Sequence, residues 1–457
     1  MAPRWVARGL ASVPQVVRGN RNFRRVAAAD LTSSLGATMS TLAFPLLVLS
    51  LGGSAVQAGS IATVSLATRL GFRLPAGHLV DQWNPRTVMI VSDLVRLAAL
   101  ASIPASVIWG GPHYPHLLAV ALVEGVAAAL FGPAVNVLIR DVVTPSQLPE
   151  ALGLSQSVMA LTNLVGPAAG GALFAVDPML PFALDAASYG ISALLLRRVA
   201  VRRSAPAEAA ERGGLTAGIR WLLSERSLLS VLVFASVINL VSATLEVLVI
   251  LDLRSQGLSG GHIGLILSCI GVSAVVGSLL APVLCRRMSI PAILLGMGVA
   301  WTVVLATFGL HSSPWLVAVS LFALMLLSPT AGVVVGHALL SRTPRPLVGR
   351  VTATTSVLMM GLSALGPISA GALHEVFGAA RGWLILALAM AVLTAASWVP
   401  LQSTRALASI PDREPDPPSD VEPDVDWVVP DRLPEDAYDV VAHWQWPGTN
   451  DWRPRGR

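Results

Sequence analysis

Val165-Gly166-Pro167-Ala168-Ala169-Gly170-Gly171-Ala172-Leu173 lies inside an apolar block, and 200 residues later the chain repeats it as Leu365-Gly366-Pro367-Ile368-Ser369-Ala370-Gly371-Ala372-Leu373. Just upstream, Thr144-Pro145 answers Thr343-Pro344 at an offset of 199. A single Gly-Pro pair in an apolar helix arises readily by itself. Two matches in the same order and register point to a duplication. Small residues let such a helix approach a partner closely, and proline removes a backbone donor and bends it.

Working outward, the apolar material recurs in blocks of about 20–25 residues, each long enough to cross roughly 30 Å of hydrocarbon. Of 457 residues, 54% are hydrophobic and 12% charged, with a mean hydropathy of +0.68. A soluble domain carries about a quarter charged residues, so lipid is the expected solvent. The blocks predict helices over 26–50, 55–80, 87–109, 115–139, 150–175, 179–197, 227–251, 261–285, 290–310, 315–340, 350–374 and 381–402. The expected fold is an all-α membrane protein of twelve transmembrane helices, in two six-helix parallel repeats around a central cavity.

The joints between blocks alternate in charge. One side, with the N-terminus, carries 20 arginines, and the opposite joints carry two, Arg254 and Arg381. The positive-inside rule places the rich side, and both termini, in the cytoplasm. Residues 1–25 hold six arginines and no short apolar stretch with a small-residue cleavage site, so no cleavable signal peptide is expected. The domain reading is a basic N-terminus over 1–25, a first half over 26–197, a cytoplasmic joint over 198–226, a second half over 227–403 and a tail over 404–457. The joint contains Ile219-Arg220-Trp221-Leu222-Leu223, which reads as a short amphipathic helix at the membrane surface.

The tail is acidic, with a net charge of −6 over residues 405–457, and rich in proline. It cannot bury enough apolar surface to fold alone. Its Trp427, Trp444, Trp446 and Trp452 make intramolecular docking onto the basic face an expectation. The basic excess elsewhere follows the membrane edges, which argues for topology and against nucleic acid.

The joint after the second block reads Pro75-Ala76-Gly77-His78-Leu79-Val80-Asp81-Gln82-Trp83-Asn84-Pro85-Arg86. It resembles the G-x-L-x-D-R-x-G-R-R signature of the major facilitator superfamily at Gly77, Leu79, Asp81 and Arg86, and departs from it at Gln82, Asn84 and Pro85. The fifth block is similar to the exporter-associated glycine-proline motif at Gly153, Gly166, Pro167, Gly170 and Gly171, with Thr162 where another glycine is usual. Asp185-Ala186-Ala187-Ser188-Tyr189 resembles a D-A-x-S-F run. More narrowly, the chain is similar to the proton-coupled drug exporters of the macrolide-efflux and enterobactin-exporter branch. That resemblance implies a cytoplasmic gate at Gly77, Asp81 and Arg86, holding the state open to the outside. The arginine of the fourth span associated with proton coupling is missing, since Ala121 stands near its place.

Ionisable groups inside a membrane are costly and invite a functional role. Glu124 sits in mid-span with no charge near it in sequence, and an isolated carboxyl there suits a proton carrier. Asp30 and Glu246 are the further coupling candidates. Arg69 is placed to pair with Asp30 or Glu124, and sequence does not choose. Asp93 and Arg96, three residues apart, share a helix face and with Arg73 form a charge network at the gate.

Cys269 and Cys285 lie about 24 Å apart on one predicted helix, beyond disulfide reach. No spacing suggests a metal site, a cofactor or a nucleotide-binding loop, and no catalytic constellation stands out. The expected function is export of an amphiphilic organic molecule, such as an antibiotic, a macrolide-like compound or a siderophore, by alternating access across the cell membrane in exchange for protons. An uptake symporter or facilitator, and a non-transporting membrane sensor or scaffold, are the alternatives.

Overall fold

The computed structural model describes residues 15–200, 215–311, 313–343 and 347–402, and among these every regular element is a helix. In a bilayer core a helix satisfies its own backbone polar groups, which is why the apolar blocks take this form. Nine helices among the described residues are long and apolar enough to cross a membrane. One of these runs from Thr354 to Val399 and contains two traverses, because Gly378 turns the backbone with a φ of 76°. Two further traverses complete the set. Ala55–Gly71 continues as Arg73–Gln82, and Leu180–Arg197 forms the sixth span. The chain therefore folds as twelve spans.

The ends of the spans follow from local chemistry. Ser54 caps the second span in a reciprocal box with Gln57. Asn84 accepts from the amide of Arg86, and Pro85 occupies the first helical position, where a missing N–H is harmless. Gly52 and Gly257 take φ values of 79° and 85° in equivalent turns before spans two and eight, at an offset of 205 residues.

Span ten departs from the expected continuous 315–340. It breaks into Pro314–Met325 and Ser328–Arg342, because Pro329 cannot donate back to Met325. Span eleven breaks likewise, Val348–Ser363 ending just before Gly366-Pro367. The first span begins at Arg21, five residues before the expected start, with the Asn20 side chain accepting from Phe23 N at 3.0 Å. The joint holds a helix over Leu215–Ser224 in which Leu222 is buried and Leu223 exposed. The tail, with its expected docking, lies outside the described residues.

The repeat recurs in three dimensions. Gly166 packs on Thr38 of span one, and Gly366 on Ala243 of span seven. Gly171 meets Gly260 and Gly264 of span eight, while Gly371 meets Ala55 and Val56 of span two. Thr38 and Ala243, like Ala55 and Gly260, are 205 residues apart. Spans five and eleven are thus each wedged between a helix of their own half and one of the other. Trp109 and Trp315 are 80% and 84% exposed near the ends of spans three and ten, as aromatic residues at a membrane interface are.

Candidate functional site

Two connected hollows lie among the helices. A vestibule of about 840 Å³ is lined by Asp30, Arg69, Arg73, Arg96, Glu124 and Arg140, among others. A deeper chamber of about 410 Å³ is mainly apolar, with Leu42, Phe44, Ile61, Ile250, Leu267 and Ile270 in its wall. Thr38, Arg69, Glu124 and Asn163 border both, and so form the neck between them. Arg140 ends span four on the arginine-rich side, so the vestibule lies toward that end.

The opposite end is sealed by backbone. A methyl group on Gly59 would overlap the carbonyl oxygen of Pro367, and one on Gly264 would overlap that of Pro167. Close approach of this kind requires glycine and supplies the packing that holds helices together in lipid. The Ile368 amide also donates to Thr63 Oγ1 at 3.0 Å across the halves. At the rim, Glu375 accepts at 3.0 Å from the Val56 amide, in the first turn of span two, where a negative charge is favoured.

Glu124 is less isolated than its sequence suggests. It is 8% exposed, accepts from Ser65 Oγ at 3.1 Å, and faces Arg69 Nη2 at 3.9 Å. Between Asp30 and Glu124, Arg69 therefore stands by Glu124. Gly125 lets span four approach Ser65 and Thr68 of span two, which brings these groups together. Asp30 is half-buried in the vestibule wall, with Ser34 Oγ donating to it at 3.4 Å. Glu246 opens onto the chamber from the other half and has no hydrogen-bond partner among the described residues. The three coupling candidates are thus distributed over the two hollows.

The gate residues separate. Gly77 and Asp81 belong to the Arg73–Gln82 helix, but the surroundings of Gly77 and the side chain of Asp81 lie outside what the structure describes. Arg86 donates to the carbonyl of Arg197, fastening span three to the C-terminal end of span six within one half. Arg73 reaches across the vestibule to Met360 Sδ at 2.9 Å. Asp93 and Arg96 are both buried and share a face, and the hydroxyls of Ser33 and Ser192 lie beside the Asp93 carboxyl.

The glycine-proline motif divides its labour. Gly166 and Gly170 pack on Thr38 and Met39 in the same half, Pro167 and Gly171 meet span eight of the other, and a Cβ added at Gly153 would meet open space. Sequence reasoning missed Asp252, which is 4% exposed and accepts from Trp383 Nε1 at 2.8 Å. Its position one residue past the predicted end of span seven hid it. Among the described residues no group of three or more His, Cys, Asp or Glu could hold a metal ion.

Comparison with known proteins agrees with this architecture. Residues 17–429 match the family described as transmembrane secretion effector. The multidrug efflux pump Tap of Mycobacterium tuberculosis (strain ATCC 25618 / H37Rv) is 28% identical over 415 residues, covering 85% of this chain and 96% of the pump. The counterpart of Mycolicibacterium fortuitum is 26% identical over 401 residues, covering 84% and 97%. Among solved structures, an inward-facing bacterial homologue of the lysosomal transporter Spinster superposes with a TM-score of 0.67 at 14% identity, covering 85% of this chain and 97% of that one. The nucleoside transporter NupG gives 0.66 at 16% identity, covering 84% and 99%. With twelve spans in two halves around a cavity and this match over most of its length, the chain belongs to the transmembrane secretion effector family of the major facilitator superfamily of transporters.

Proposed function

We propose that this protein exports amphiphilic organic molecules from the cytoplasm by alternating access, in exchange for protons. The observation that carries the reading is the two-part cavity. An apolar chamber sealed by backbone at one end continues, through the Glu124–Arg69 neck, into a polar vestibule at the arginine-rich end. A molecule with apolar and polar parts has a surface for each. The similarity to pumps named for multidrug efflux supports export and a broad substrate range.

In this reading both termini and the 198–226 joint are cytoplasmic, residues 26–197 and 227–403 are the two moving halves, and the membrane is the cell membrane. Glu124 carries or gates the proton, with Asp30 and Glu246 as further coupling groups. Protonation of Glu124 would weaken its attraction to Arg69 at the point where vestibule and chamber meet. The Asp81 helix and the Arg73–Met360 contact lie where the basic end would close.

The test uses purified protein in proteoliposomes with an imposed pH gradient and ethidium as the probe. Ethidium accumulation driven by the gradient, with matched proton movement, is the expected result. Ethidium that merely equilibrates, indifferent to the gradient, would make the protein a facilitator.

A further inference from the structure

We propose that Glu375 is a proton-releasable latch on the sealed end of the cavity, and that it holds only one of the two seams that close that end. The seams are repeats of each other. Spans two and eleven form one, spans five and eight the other, and in both a glycine accommodates a proline carbonyl. The Ser54–Gln57 cap of span two has its equivalent 205 residues later in span eight, where Ser259 Oγ and His262 Nδ1 lie 2.8 Å apart.

The likeness stops at the acid. Glu375 accepts from the Val56 amide at 3.0 Å, and so joins the second half to the first turn of span two. The equivalent of Val56 on span eight is Gly261, and the equivalent of Glu375 on span five is Ala175. These two still face each other, since a methyl group on Gly261 would lie 3.8 Å from the Ala175 Cβ. Among the described residues no carboxylate accepts from the Gly261 amide. Asp177, the acid that ends span five, instead accepts from Met179 N at 2.7 Å within its own turn.

Glu375 is placed to titrate. It is exposed, one residue past the apolar stretch expected for span eleven and shortly before the Gly378 turn. It borders a recess of about 570 Å³ formed by both halves, through which protons of the medium reach it. The other charged or titratable groups lining that recess are Arg254 of span seven and His374 beside it, and the first half contributes the uncharged Ser54. The Val56 amide, then the Ser54 hydroxyl and His374, hold the Glu375 carboxyl below the ordinary glutamate range while the seam is closed. Opening removes the amide and the hydroxyl. The latch is therefore at full strength above the free glutamate value of 4.5, and is lost as pH falls through the lower value of the sealed state.

One proton from the medium turns the carboxylate into a neutral acid, and the positive end of span two then has no anion on it. The seam keeps its glycine packing and the bond of Ile368 to Thr63, but loses its charge-assisted contact. The seam between spans five and eight has no such group to lose, so acid weakens the seal on one side only. A proton arriving from outside in this way helps to open the path by which a substrate leaves. That use rests on the function proposed above, while the latch itself does not.

The test is double electron–electron resonance on the full chain in nanodiscs, with Cys269 and Cys285 replaced by serine and spin labels at Trp109 and Trp315, which belong to neither seam. The protein with Glu375 intact should gain long-distance population between pH 7 and pH 3.5. Glu375→Gln mimics the protonated acid at every pH, and because Glu375 is exposed the change leaves the core intact. It should show at pH 7 about a two- to fivefold larger long-distance population, the range expected of one charge at a helix N-terminus, and should lose the response to acid. Adding Ala175→Glu to Glu375→Gln supplies a carboxylate to the other seam, and should restore both the short distance at pH 7 and the acid response. The proposal is overturned by an intact protein indifferent to acid, by Glu375→Gln that matches it at pH 7 or responds to acid undiminished, or by no recovery with Ala175→Glu. Labels that respond in a protein that does not transport ethidium would sink the exporter reading and leave the latch standing.

Discussion

The carbonyl oxygen of Pro367 rests against Gly59 of the other half so closely that no side chain can stand between them. Pro167 and Gly264 repeat the contact. A side chain at Gly59 or Gly264 therefore opposes the sealed state in particular. Gly59→Val is expected to destabilise that state by about 1–3 kcal/mol, the usual range for overpacking, which is roughly a 5- to 150-fold shift in population. Spin labels at Trp109 and Trp315, both exposed near the ends of spans three and ten, should report longer distances in the variant. An unchanged distribution would mean that the seal is not set by this contact.

Glu124 receives its hydrogen bond from Ser65 and its counter-charge from Arg69. Glu124→Gln keeps the shape and the hydrogen bond but removes the titration. It should leave ethidium binding intact and abolish gradient-driven accumulation. Arg69→Met should lower stability by only about 1 kcal/mol or less, because the pair is 3.9 Å wide and its arginine is 43% exposed. Gradient-driven uptake by Glu124→Gln vesicles at the wild-type level would remove this residue from coupling.

Asp252 binds Trp383 Nε1 at 2.8 Å and also accepts from Gln256 at 3.1 Å. Trp383 is fully buried and stacked edge-on against Phe308 at 5.2 Å. Asp252→Ala strands that indole N–H, which should cost about 1–3 kcal/mol. Asp252→Asn retains an acceptor and should cost less. Thermal unfolding in detergent ranks the two, and equal melting temperatures would show the bond to be idle.

The proposed orientation is checked by labelling intact cells with a membrane-impermeant thiol reagent. A cysteine replacing Trp109 should react from outside, and one replacing Ser146 only after lysis. Both positions are exposed, so failure to react reflects sidedness. Reaction of the Ser146 position in intact cells would invert the topology.

Much of the architecture is legible because lipid imposes long apolar blocks, and because the Gly-Pro repeat survives at an offset of 200. The matching repeat in spans one, two, seven and eight, at 205, escaped notice. Its members, such as Thr38 with Ala243, share size and position but not identity. The break in span ten was written in Ser328-Pro329, but hydropathy averages over a single proline. Candidate residues were visible singly, since each is a charge in an apolar run. Glu124 and Asp30 were both visible as partners for Arg69, but choosing between them depends on which spans adjoin. The apparent isolation of Glu124 was a property of the sequence, undone by the packing of span four on span two.

The contact between spans five and eight also has a length. It runs from Gly260, against Gly171, down to Gly271, against Leu164. Eleven residues of helix extend about 16 Å. If the halves part from the Gly260 end, a joint of that length would open as a zip, with the contact at Gly271 as its fulcrum. Substitutions at Gly260 then alter how often the outside opens, whereas those at Gly271 alter how wide.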